Sequence, residues 1–153
     1  MTDVYRLVRA ERAADVLSGE GARLYGGRWN PRGAAVVYAS ESRALAVLET
    51  FVHLTLEARA MRFLLYAIRL PKRSRLQRRP PGRRLPIRSQ EIGGAWLDAG
   101  ETLALVVPSV IVPQETNFVL NVRHPQFSQL RLGKPEPFSF DERLWATRAR
   151  SAE

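Results

Sequence analysis

The chain contains no cysteine, only two histidines and, apart from Lys72 and Lys134, no lysine in its 153 residues. Without thiols there are no disulfides and no thiolate nucleophile, which sets aside the stapled secreted scaffolds and points to a reducing compartment. His53 and His124 are distant in sequence and have no cluster of carboxylates beside them, so neither a metal nor a cofactor is expected. A Walker-type phosphate loop is missing, and GEGARLYGG does not lie between a clear strand and a clear helix, which disfavours the nucleotide folds built on such turns. No apolar run approaches the roughly 20 residues that cross a bilayer, and the opening MTDVYRLVRA has no apolar signal core. A soluble cytoplasmic protein without membrane contact is the expectation.

Acidic residues are absent from one long stretch as well. Arg69 to Arg88 holds nine basic and no acidic residues, and the other 15 basic residues match the 15 acidic ones elsewhere, so the net charge of +9 is local. Direct nucleic-acid binding is not expected from it, because no aromatic side chain interleaves the arginines as a single-strand platform requires.

What is present is ordinary for a folded domain: 45% hydrophobic and 25% charged residues in a length that buries about two-thirds of the unfolded surface. Val4 to Val8 is a short strand, and Ala10 to Gly27 is expected to be loop with at most a short helical turn. Pro31 to Gly33 makes a turn before a β-branched strand, Ala35 to Ala39. Ser40 or Ser42 caps a helix to about His53 whose buried face is Leu45, Leu48 and Val52, leaving Glu49 on its rim. Met61 to Leu70 is a strand ended by Pro71, and 71–88 is expected to be an exposed arginine-rich loop. Gln90 to Leu97 is a short helix closed by Gly100, and Thr102 to Val107 is a strand. Val110 to Val112, Phe118 to Leu120 and Pro137 to Phe140 are short extended pieces, and 145–153 is a tail. One α+β domain over 1–153 follows.

Two stretches carry candidate chemistry. In GGRWNPRG, residues 26–33, paired glycines allow close approach of the backbone and Arg28 presents a planar fork suited to phosphate oxygens. The same residues also suit a tight turn whose Trp29 packs inward and whose Arg28 is solvated. In VPSVIVPQETNFVLNVRHP, residues 107–125, Ser109, Asn117, Asn121 and His124 alternate with apolar runs and need partners, either backbone groups or a ligand.

GGRWNPRG, VVYASES, ALAVLE and VPSVIVPQETNFVLNVRHP, in this order, closely resemble the successive signatures of the RES domain, a family of bacterial toxins. The resemblance covers nearly the whole chain. It implies that Arg28, Glu49 and Ser109 are the arginine, glutamate and serine that name the family, and that Arg6 and Tyr38 match further active-site positions. It also implies a fold distantly similar to ADP-ribosyltransferases, NAD bound as the substrate, and an Xre-type helix-turn-helix antitoxin as partner. The activity implied is NAD destruction by hydrolysis or phosphorolysis; some members instead transfer ADP-ribose to a phosphoribosyl pyrophosphate synthetase.

The roles implied are chemically coherent. Cleaving the nicotinamide–ribose bond builds an oxocarbenium-like ribose, which the Glu49 carboxylate would stabilise. Arg28 and Arg6 would hold the pyrophosphate, Tyr38 would stack on nicotinamide or ribose, and Ser109 and Asn117 would contact ligand or orient Glu49. Asn121 followed by Val122 departs from the asparagine–proline of the family pattern and puts the local turn in doubt. The arginine-rich segment either docks an acidic antitoxin or stays mobile. The rival readings are an RNA-cleaving toxin using His124 with Arg28 and a non-catalytic partner domain.

Overall fold

The chain's architecture was taken from a computed structural model, which describes residues 2–79 and 88–146. Among the described residues eight strands form one sheet in the order β4-β5-β6-β2-β1-β3-β7, with β8 sharing the outer edge of β3 with β7. They are β1 (Asp3–Arg9), β2 (Val36–Ser40), β3 (Phe63–Arg69), β4 (Leu76–Arg78), β5 (Ala104–Pro108), β6 (Thr116–Asn121), β7 (Arg131–Leu132) and β8 (Glu136–Phe138). All these pairs are antiparallel except β4 with β5, and among the described residues three α-helices complete the α+β domain: α1 (Glu20–Tyr25), α2 (Arg43–Phe51) and α3 (Ser89–Ala99).

Strand alternation divides the core between the two faces of the sheet. Val4, Val37, Ala39, Ile68, Val106, Phe118 and Leu120 pack on one. On the other lie two clusters side by side: Leu7, Ala46, Phe63, Leu65 and Phe140 under α2, and Trp29, Val36, Trp96, Leu105, Val107 and Val119 under α3. Burying each such Leu, Val or Phe contributes about 1.5–3 kcal/mol. Tyr38 and Ser40 point from β2 to this second face, between the two helices. Just there β1 and β2 meet through the single register pair Tyr5 with Ser40.

Several local expectations are corrected. Within Ala10 to Gly27 the chain forms a 3-10 helix, Ala10–Asp15, and then α1, rather than a loop with one turn. Ser42 is the N-cap of α2 and accepts from the Leu45 amide, but the helix buries Leu45 and Ala46 and leaves Leu48 and Val52 exposed at 36% and 51%. The inward face is turned toward Glu49, which is half-buried, and Val52 falls beyond the last helical residue.

Inside the arginine-rich segment β4 forms, because Leu76 packs on the core and the open edge of β5 supplies partners for its backbone; Gln77 and Arg78 stay exposed. Residues 80–87 of that expected loop, and 147–153 of the expected tail, lie outside the described residues. Val110 to Val112 is bent rather than extended, for a reason found at Ser109. The turn after β6 forms despite the missing proline: Asn121 Oδ1 accepts from the Arg123 amide, and Asn121's carbonyl from that of His124.

Candidate active site

The α2 half of the site centres on a carboxylate. Glu49 leaves the last turn of α2, and its Oε1 accepts from Ser109 Oγ at 2.6 Å and from Asn117 Nδ2 at 2.8 Å. Oε2 has no protein partner among the described residues. Ser109 follows β5, and its hydroxyl also accepts from the amides of Ile111 and Val112 at 3.1 and 3.0 Å. Those bonds close the bend after β5 and leave the hydroxyl proton directed at Glu49. Asn117 belongs to β6 and stands opposite Ser40; Ser40 Oγ donates to Asn117 Oδ1 at 2.7 Å, which fixes the amide with its NH2 toward the carboxylate.

The second half is the loop between α1 and β2. Tyr38 lies two residues before Ser40 on the same face of β2, roughly 7 Å away along the strand. Its hydroxyl donates to Asn30 Oδ1 at 2.6 Å and accepts from the Trp29 amide at 3.1 Å. Asn30 is fully buried, and its Nδ2 donates to the carbonyls of Ala22, Pro31 and Ala34. A side chain at Gly27 would put its Cβ 2.6 Å from the Tyr38 hydroxyl, so glycine is required there by the phenol rather than by a ligand.

Burial pushes the Tyr38 phenol up to about 12, against the opposing influence of the Trp29 amide, the Arg28 charge and Asn30. Trp29 is buried, whereas Arg28 is exposed and forms no hydrogen bond or ion pair among the described residues. Both sequence-level readings of this loop therefore hold in part: the tryptophan is core and the arginine faces outward.

Arg6 approaches from β1, where Nη1 donates to the Tyr38 carbonyl at 2.9 Å. Nε is buried without a partner among the described residues, and desolvation by burial lowers the guanidinium pKa. No carboxylate is paired with this cation among the described residues. His124 is elsewhere: it caps the 3-10 turn Pro125–Gln129 beyond the far end of β6, where its Nδ1 accepts from the Gln126 amide. A cavity lined by Asp3, Ala67, Arg69, Arg131, Leu132 and Gly133 lies at the β3–β7 edge and includes none of these candidate residues.

Glu49, Ser109, Asn117 and Ser40 thus form one hydrogen-bonded group; Tyr38 stands on the same face of β2 as Ser40 and holds the loop that bears Arg28, while Arg6 reaches the Tyr38 carbonyl from β1. Sequence reading missed Ser40 as a support of this site and gave it only a possible capping role. The supporting residues Ser89 and Gln90 were missed too. No signal in spacing marks them, because each acts on a residue more than 60 positions away.

This arrangement defines an α+β domain that presents one anchored carboxylate on the helix-bearing side of a mixed sheet, with Arg28 on the adjoining loop and Arg6 reaching the Tyr38 carbonyl from β1. Residues 3–141 match the RES domain family model, and the chain belongs to that family. It is similar to a protein named Toxin Res from Yersinia enterocolitica, 36% identical over 92% of this chain and 98% of the relative. A Prs ADP-ribosylating toxin from a Sphingobium species is 38% identical over 94% of this chain and 96% of its own. Among solved structures, a chain of the M. tuberculosis MbcT–MbcA toxin–antitoxin complex shares the fold with a TM-score of 0.71 at 22% identity, covering 90% of this chain and 84% of that one.

Proposed function

We propose that the protein is the toxin of a toxin–antitoxin pair and that it consumes NAD by cleaving the nicotinamide–ribose bond. The observation that carries this reading is Glu49, a carboxylate with one oxygen tied by Ser109 and Asn117 and the other untied among the described residues, in a RES-family chain.

In this reaction the C–N bond breaks, its electron pair leaves with nicotinamide, and positive charge develops at ribose C1′. Glu49 stabilises that charge at short range, and Oε2 is available to a ribose hydroxyl. Arg28 forks onto the pyrophosphate. Arg6, half-buried and without a paired carboxylate among the described residues, steadies the Tyr38 carbonyl and adds longer-range attraction for the same anion. Tyr38 contributes its ring and its hold on the loop, since its phenolic proton is retained at neutral pH. An oxygen of water or phosphate then bonds to C1′ and releases a proton.

A second reading, transfer of ADP-ribose to a protein, is favoured by the relative named a Prs ADP-ribosylating toxin. The partner proposed is an antitoxin of the Xre helix-turn-helix type, by analogy with the neighbour's toxin–antitoxin complex, and the compartment proposed is the cytoplasm.

Purified protein incubated with NAD, with and without phosphate, should release nicotinamide together with ADP-ribose or its phosphorylated form, identified by mass. Glu49→Gln should slow this by about 10²–10³-fold, the usual cost of losing one charge-stabilising group, with the fold unchanged. Full NAD consumption by that variant would remove Glu49 from the mechanism. Turnover seen only when a protein acceptor is added would select the second reading.

A further inference from the structure

The loop that bears Arg28 is gripped from outside by the first turns of α3. Three successive carbonyls face that helix. Gln90 Nε2 donates to the Gly27 carbonyl at 2.8 Å, and Ser89 Oγ donates to the Arg28 carbonyl at 2.5 Å. The Trp29 carbonyl oxygen rests on Gly93 so closely that a Cβ there would lie 1.6 Å from it. On the opposite side of the loop the Gly27 amide bonds the Asn30 carbonyl and the Trp29 amide bonds the Tyr38 hydroxyl. The backbone on both sides of Arg28 is therefore fixed while its side chain is left unengaged among the described residues.

We propose that Ser89 and Gln90 are positioning residues for Arg28, setting where its guanidinium meets the pyrophosphate of the substrate. The assignment rests on the NAD reading above. Chemistry supports it in two ways. A guanidinium binds two phosphate oxygens only over a narrow range of angles, so its backbone root must be held. Gln90 is exposed, so its bond to Gly27 is not needed to fill the core.

The test compares NAD with nicotinamide riboside, which has the same scissile bond and no pyrophosphate. Wild-type cleavage of NAD comes first; its absence would overturn the NAD reading and this assignment with it. Given wild-type activity, Gln90→Ala and the double variant Ser89→Ala/Gln90→Ala should raise KM for NAD about fivefold to tenfold. Their kcat should stay within about twofold, and nicotinamide riboside cleavage should be unaffected. In an Arg28→Ala background Gln90→Ala should add nothing, because residues that act through one group are not additive. If the double variant does not fold, Gln90→Ala alone carries the comparison. An unchanged KM for NAD, an equal loss with both substrates, or a full additional loss in the Arg28→Ala background would each overturn the positioning role while leaving the NAD reading in place.

Discussion

On the α2 side of the site the side chain itself is tethered, since Glu49 Oε1 takes two hydrogen bonds and each of its donors is oriented by a further partner. On the α3 side only the backbone is tethered, and the Arg28 side chain extends outward from a loop whose amides and carbonyls are bound. The difference fits the two tasks proposed for these residues. A group that must meet charge developing at one carbon gains from being fixed before substrate arrives. A group that captures a flexible pyrophosphate gains from a fixed root and a free end.

Gly93→Ala strikes the loop half hardest, because the added methyl overlaps the Trp29 carbonyl. We expect a loss of roughly 3 kcal/mol, the upper range for overpacking, and thermal melting should show a drop of roughly 6–12 °C. Melting within about 2 °C of wild type would mean that α3 is not seated on the loop as described.

Tyr38 sharpens the contrast through pH. With the phenol at about 12 in the fold and about 10 unfolded, the unfolded chain loses this proton first. Stability from this group is thus intact below pH 10 and declines as pH rises toward 12, by up to roughly 2–3 kcal/mol. Denaturant titrations of wild type and Tyr38→Phe over this range should differ in slope, with the variant flatter; parallel slopes would show that the phenol is not held in the loop.

Ser109→Ala removes the donor to Glu49 and leaves the Ile111 and Val112 amides without their acceptor. NAD turnover should fall about tenfold to hundredfold with a stability loss of about 1–2 kcal/mol. An effect on stability alone would place Ser109 in the bend and not in the site. Ser40→Ala is the mildest. It frees the Asn117 amide to rotate, and a twofold to fivefold lower kcat at about 1 kcal/mol lower stability is expected; an unchanged kcat would show that Asn117 needs no such guide.

Much of this was legible in the residue order. Val36–Ser40, Phe63–Arg69 and α3 lie close to the segments read from β-branched runs and capping signals, because local propensity and burial agree there. The carboxylate of Glu49 was legible only by resemblance. Helical periodicity placed it on the rim of an apolar face that was expected to include Leu48 and Val52, and polar contacts from Ser109 and Asn117 turned the helix otherwise. β4 was hidden because Arg78 within it and Arg75 and Arg79 beside it mask a three-residue strand whose formation depends on an edge supplied by residues 104–106.

The register of β6 has one more consequence. Asn117 faces Glu49, while its neighbour Phe118 enters the apolar layer on the sheet's opposite side. Sliding this strand by one position would exchange the two, setting a phenyl ring against the carboxylate and an amide in hydrocarbon. The proposed chemistry and correct strand alignment are therefore inseparable here: a misthreaded copy of the chain would lose both.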